Sequence, residues 1–376
     1  YGLQKKLLGK FGKNSMFGNF FKDKKILVTG HTGFQGSWLT LWLKLLGAKV
    51  IGYSLPPTKP SLFESLELEN DITHIIADIR NLDELKKTIS SNEPDLIFHL
   101  AAQSLVRESY EKPVETFSTN ILGTVNVLDC IRNSTTVKGC IVYTSDKSYE
   151  NVGTKQVYTE NDRLGGNDPY SASKASSEIV TTAYRNSFFG KVSSPRIATI
   201  RAGNVIGGGD WSKDRLIPDF VRAVINKQKI KIRNPEYTRP WQFVLEPLCG
   251  TLWLAAKMIQ ESKYSEAWNF GPSSDSKQFT VKMMLKAIST EWGINESIME
   301  ENTNNELHED KFLNIDSSKA EKFLGLKLVY NLQETITETV SWYKHFTEQK
   351  NEIKNFSIEQ IKNYTDHAKQ LNLSWT

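Results

Sequence analysis

Ile26–Thr29 is a short apolar run, Gly30–Gly36 holds three glycines in seven residues, and Ser37–Leu46 is an amphipathic run stopped by Gly47. A strand, a glycine turn and a helix in that order constrain the chain more than any other feature. The turn brings free backbone N–H groups to a helix N-terminus, and the next strand must return parallel to the first. The same rhythm continues. Lys49–Leu55, His74–Ala77, Asp95–Ala101, Gly139–Ser145 and Ile197–Ala202 read as strands, and Pro113–Arg132 and Tyr170–Phe189 as helices. Strands alternating with helices predict a parallel sheet covered on both faces.

The fold class expected is therefore α/β: a Rossmann-type doubly wound parallel sheet over residues 24–202, with a smaller C-terminal α/β region over 203–376 that interleaves with it. In that second region the rhythm loosens. Helical patterns recur at Ile217–Lys227, Val281–Trp292 and Leu332–Phe346. The chain of 376 residues is 39% hydrophobic, enough for a large core. Its most apolar helical stretch, Ser37–Gly47, is broken by Lys44, so a membrane-spanning helix is not expected. Cys130, Cys140 and Cys249 are odd in number and lack paired spacing. That excludes a disulfide framework and a cysteine-based zinc site, predicts no metal, and fits a reducing cytoplasm. The net charge of +4 is misleading, because residues 1–25 carry seven lysines against Asp23 alone. A nucleic-acid surface would spread its charge over a folded face; here the excess belongs to residues 1–23, expected to be a leader outside the fold, with Met16 as the natural start.

The cofactor end is read from Gly30, Gly33, Phe34, Gln35 and Gly36, which open the helix and suit a dinucleotide pyrophosphate. Asp78 and Ile79, after the third strand, stand where an adenine would lie. Ala101, Ala102 and Gln103 end the fourth strand where a cofactor would cross the sheet edge. The second strand ends Tyr53-Ser54-Leu55 with no acidic ribose reader, so NAD is expected while NADP stays open. Tyr170 and Lys174 lie one turn apart on one helix face. A phenol needs a nearby cation to act as a base, and Lys174 is the cation this spacing offers. Ser145, ending the fifth strand, can bridge substrate and tyrosine.

GHTGFQG, HLAAQ, TSDKSYEN and YSASK, in this order, resemble the extended short-chain dehydrogenase/reductase superfamily. RAGNVIGGGDW and RPWQFVLEPL narrow the resemblance to its nucleotide-sugar 4,6-dehydratases, over roughly Phe17 to Phe346. Asp146-Lys147 resembles the branch that acts on CDP-glucose, where the dTDP-glucose branch has Asp-Glu. The resemblance implies Tyr170, Lys174 and Ser145 for oxidation at C4, Asp146 as the acid at O6 and Lys147 as the base at C5. It also implies a nucleotide-diphosphate sugar, CDP-glucose, held by Asn204, Arg215 and Arg239, with Ser104 at a sugar hydroxyl and Tyr149 shaping the pocket. Phe243 departs from the pattern, since relatives often carry His there. His31, His99, Trp241 and Trp268 are read as structural. A homo-oligomer is expected. A 4-epimerase, a dehydratase for another nucleotide, and a silent dinucleotide-binding regulator remain as alternatives.

Overall fold

The computed structural model describes residues 16–191, 193–272, 279–295, 299–301, 310 and 312–376. Seven strands form one parallel sheet: β1 (Lys25–Thr29), β2 (Lys49–Ser54), β3 (Thr73–Ile76), β4 (Leu96–His99), β5 (Gly139–Tyr143), β6 (Arg196–Ala202) and β7 (Ala267–Phe270). Their order is β7-β6-β5-β4-β1-β2-β3, so the winding reverses between β1 and β4. At such a switch point the loops diverge and leave a crevice beyond the strand ends.

Side chains of each strand alternate between two cores. Ile26, Val28, Leu96, Phe98 and Ile141 enter one, and Leu27, Ile97, Cys140 and Val142 the other. The first is covered by α1 (Phe34–Leu45), and the second by α2 (Leu82–Asn92) and by α3, the helical run Pro113–Arg132. α4 (Pro169–Phe188) packs on α3. From the C-terminal region come α5 (Leu216–Ile225), α6 (Leu245–Gln260), α7 (Val281–Trp292), α8 (Leu332–Glu348) and α9 (Ile353–Gln370). Residues 203–376 thus contribute a strand to the same sheet. The reading of α3 as one helix holds in extent but not in form: Ser118–Leu122 is a π-turn, which adds a residue to the loop of backbone hydrogen bonds.

Met16, Phe17 and Phe21 are buried, and Phe17 stacks on Trp375 while its N–H donates to the Trp375 carbonyl at 2.7 Å. The fold therefore begins before residue 24, and the part of the expected leader before residue 16 lies outside the described residues. Among the described residues no helix is long and apolar enough to cross a membrane, and Cys130, Cys140 and Cys249 are free and buried.

The turn after β1 depends on two missing side chains. Gly30 has φ +75°, and a Cβ there would stand 2.7 Å from the Ala101 nitrogen. A Cβ on Gly36 would stand 2.1 Å from the Gly30 carbonyl oxygen, which is backbone and cannot step aside. Gly36→Ala should therefore cost about 1–3 kcal/mol in stability, as overpacking does, and weaken dinucleotide binding. Urea denaturation and calorimetric titration with NAD check this; native stability would remove the close-approach argument.

Candidate active site

The ends of β4, β5 and β6 meet α4 on the C-terminal side of the switch point, and the expected residues converge there. Ser145 leaves β5 extended and caps the 3-10 turn Asp146–Ser148, its oxygen accepting from the Lys147 N–H at 3.2 Å. Its hydroxyl donates to Asp146 Oδ1 at 3.1 Å and lies in hydrogen-bonding reach of the Tyr170 phenol. Ser145, Asp146, Tyr170 and Lys174 are all buried.

Asp168 caps α4 and Pro169 begins it, so Tyr170 sits in the first turn. Burial holds the Tyr170 phenol above its ordinary value, while the Ser145 contact and Arg215 pull it down. Arg215 is thus one cation that acts on Tyr170. Lys174, expected in that role, turns its Nζ to the Tyr143 carbonyl at 3.0 Å, and burial lowers its own pKa to about 8 against the opposing pull of Glu178.

Asp146 differs from a surface carboxylate. Burial raises its pKa to about 6, against the pull of Lys147, Ser145 and Arg239. Its Oδ2 is buried without a hydrogen-bond partner. Gly203 makes room for it, because a Cβ there would lie 2.3 Å from that oxygen. A buried carboxyl whose proton affinity is raised well above the ordinary carboxylate range, with one oxygen uncommitted, is equipped to donate a proton to a substrate. Lys147 is mostly buried beside it and pairs with Asp310 at 3.7 Å.

The residues expected to face the nucleotide form a looser group. Arg215 donates to Asp210 Oδ2 at 3.0 Å and to the exposed Ser104 hydroxyl at 3.3 Å. Arg239 lies over the Tyr237 ring and donates to the Thr238 carbonyl at 2.8 Å. The Asn204 carbonyl accepts from the Gln242 N–H. Tyr149 is buried, donates to Asn269 and lies under the Arg201 guanidinium, so it braces the site from behind.

At the cofactor end, Gly33 is the N-cap of α1 and offers no side-chain cap, leaving the first N–H groups for a ligand. Gln35 Oε1, in the same turn, is buried without a partner. These features fit a dinucleotide diphosphate. Asp78 is clasped by Arg80, whose Nε donates at 3.0 Å to each oxygen, and Ile79 is buried against α3. Gln103 is committed internally: its Nε2 donates to Leu105 and Thr116, and its main chain exchanges two hydrogen bonds with Asn120. Its contribution at the sheet edge is therefore structural.

Asn120 itself is a residue that sequence reasoning passed over. It sits in the π-turn of α3 and donates to Ser173 Oγ at 2.8 Å, tying the end of β4 to α4 between Tyr170 and Lys174. An asparagine inside a helical pattern was the only available signal. His31 and His99 are structural, each held neutral by burial with a pKa of about 3. Trp268 and Phe243 are core residues, and Trp241 is buried.

A doubly wound sheet with a tyrosine–lysine helix packed against the end of its fifth strand defines an extended short-chain dehydrogenase/reductase. The chain belongs to the GDP-mannose 4,6 dehydratase family, whose profile matches residues 27–339. It is 46% identical to the CDP-glucose 4,6-dehydratase of Salmonella typhimurium over 332 residues, 87% of this chain and 92% of that protein. It is 25% identical to the dTDP-glucose 4,6-dehydratase of Xanthomonas campestris, covering 84% of this chain and 92% of that one. Among solved structures, the dTDP-glucose 4,6-dehydratase of Bacillus anthracis in complex with NAD shares the fold with a TM-score of 0.72 at 22% identity, over 88% of this chain and all of that one. The UDP-glucose 4-epimerase of Thermotoga maritima with UDP-glucose shares it at 0.76 and 22%, over 86% of this chain and all of that one.

The raised pKa of Asp146 has a cost that can be measured. Folded Asp146 holds its proton up to about pH 6, whereas unfolded it releases it near ~3.9. Between those values the folded state binds more protons, so stability falls as pH rises through the window. Asp146→Asn carries no such charge and should gain about 1–3 kcal/mol over the parent near neutrality, and nothing below about pH 4. Denaturation at several pH values decides it, and a gain independent of pH would contradict the assignment.

Proposed function

We propose that the chain is an NAD-dependent lyase, a nucleotide-sugar 4,6-dehydratase converting CDP-D-glucose to CDP-4-keto-6-deoxy-D-glucose. Residues up to 202 hold the cofactor, and 203–376 hold the nucleotide sugar. The observation that carries this reading is the buried, uncommitted carboxyl of Asp146 next to Lys147, directly after Ser145 and facing Tyr170. Identity of 46% to a CDP-glucose 4,6-dehydratase supports cytidine as the base.

The glycine turn and the α1 N-terminus would hold the NAD pyrophosphate, Asp78 and Ile79 would border the adenine, and Lys174 would face the nicotinamide ribose. When bound, NAD supplies a reversible acceptor for the C4 hydride. Tyr170 takes the proton of the C4 hydroxyl, with Ser145 holding that oxygen. The ketone then acidifies C5. Lys147 removes the C5 proton, Asp146 gives its proton to the C6 hydroxyl, and that oxygen leaves as water. The hydride taken from C4 ends on C6 and a proton returns to C5, so the reaction carries no net redox change. Arg239 and Arg215 offer planar forks to the diphosphate, with Asn204 beside them, while Ser104 reaches a sugar hydroxyl.

A 4-epimerase has no use for an acid at C6 or a base at C5, so Asp146 and Lys147 favour the dehydratase where the shared fold does not discriminate. Lys147→Ala should lose C5 deuterium exchange and product by about 10²–10⁴-fold. Proton NMR in D2O with CDP-glucose checks this. Parallel reactions with dTDP-, UDP- and GDP-glucose should yield far less of the 4-keto product, and equal rates with all four would overturn the choice of cytidine.

The expected homo-oligomer has a candidate surface. Val114, Phe117 and Leu122 on α3, and Ile179 and Phe188 on α4, are exposed apolar side chains on two helices that pack together. A second copy presenting the same pair would cover them symmetrically. Val114→Glu with Ile179→Glu should halve the mass seen by light scattering. An unchanged mass would place the interface elsewhere.

A further inference from the structure

Asp310 is 163 residues from Lys147 in sequence, yet their side chains are only 13% and 16% exposed and face each other at 3.7 Å. The approach is built into the fold. Beyond Asp310 the chain is stitched to the loop that follows the catalytic turn. Asn151 donates to the Phe312 carbonyl at 2.8 Å, the Tyr158 N–H to the Asn314 carbonyl at 3.0 Å, and the Asp316 N–H to the Tyr158 carbonyl at 2.8 Å. Ile315 is fully buried against Tyr149 and Tyr158, and Asn269 on β7 donates to the Asp316 carbonyl at 3.1 Å. The segment is therefore anchored on the residues that brace the site.

Lys147 interacts with two carboxylates: it pairs with Asp310 at 3.7 Å and acts electrostatically on the neighbouring Asp146. Those two have opposite needs. Asp146 must keep a proton to give to O6, and a lysine ammonium collapsed onto it would drive that proton off. A second carboxylate paired with the same amine offsets this pull. We propose that Asp310 is a positioning residue for the dehydration step: it holds Lys147 away from Asp146, directs the amine toward C5, and faces the ammonium formed when Lys147 takes the C5 proton. The inference rests on the reading of Lys147 as the C5 base. A separation of 3.7 Å is that of a charge pair rather than a tight hydrogen bond, and it leaves the amine able to reach a substrate.

The test uses the full chain with NAD and CDP-glucose in D2O. Asp310→Asn removes the charge and keeps the shape, Asp310→Glu restores the charge, and Lys147→Ala is the control. Asp310→Asn should lower kcat and C5 deuterium exchange together by about tenfold or more, the scale of a misplaced catalytic group. KM and melting temperature should stay near the parent values, and Asp310→Glu should recover much of the loss. Native kcat in Asp310→Asn, with Lys147→Ala inactive, would overturn the role of Asp310 and leave the base in place. A loss that follows a fallen melting temperature, without rescue by Glu, would overturn it in favour of a purely structural contact. Near-native turnover in Lys147→Ala would instead remove the base, and Asp310 with it.

Discussion

The site depends on where α4 is held, and one buried carboxylate holds it. Glu178, one turn beyond Lys174, is fully buried and accepts hydrogen bonds from Thr144, from Thr199 on β6 at 2.8 Å, and from Arg201 at 2.9 Å. Arg201 keeps it ionised below its ordinary value despite burial. Such a pair adds little net stability compared with apolar packing, but loss of either partner strands a buried charge and costs about 3–5 kcal/mol. Its value here is positional. Three donors, Thr144 just past β5 and Thr199 and Arg201 on β6, fix one carboxylate, and that carboxylate fixes the helix bearing Tyr170 and Lys174. Arg201 also donates to Tyr149 at 2.9 Å, and Tyr149 to Asn269 at 2.6 Å. The same chain of bonds therefore reaches the loop behind Lys147 and the strand contributed by the C-terminal region.

Against that rigid frame the reacting groups are held away from their ordinary protonation states. Lys174 is drawn down to about 8, Asp146 is raised to about 6, and Tyr170 is raised, with burial the largest cause in each case. Burial alone would neutralise everything. What differentiates the groups is which neighbour opposes it: Glu178 for Lys174, Lys147 and Ser145 for Asp146, Ser145 and Arg215 for Tyr170. Acid and base assignments follow from such unequal environments rather than from residue type.

Much of this was legible in the sequence because it is local. Six of seven strands showed as apolar runs closed by glycine or polar turns, and the glycine spacing set the cofactor turn. The seventh, Ala-Trp-Asn-Phe at 267–270, did not show, because Asn269 points into the polar network instead of continuing an apolar run. α6 was missed for the opposite reason. Most of it is buried, and Pro247 and Gly250 stand inside its first two turns, so it lacks the uninterrupted helical pattern of the others. The tyrosine–lysine pair was legible as a spacing, yet the aim of Lys174 at the Tyr143 carbonyl was not, since that depends on a strand 31 residues away. Arg215 acting on Tyr170, Asn120 tying β4 to α4, and Asp310 against Lys147 are all pairings between distant segments. No spacing rule announces them.

The distribution of these distant pairings follows the order of the chemistry. On the proposed reading, oxidation at C4 uses Ser145, just past β5, with Tyr170 and Lys174 on α4, all within the doubly wound half. Elimination needs an acid and a base at C5 and C6, and its supports come from beyond residue 202: Gly203 leaves room for Asp146, Arg239 acts on its charge, and Asp310 faces Lys147. An epimerase and a dehydratase share this fold at 22% identity to this chain, so the fold by itself does not separate the two. On the proposed reading, the fate of the 4-ketone rests with the residues after Ser145 and with the C-terminal segments packed around them, which are sites grafted on a common scaffold.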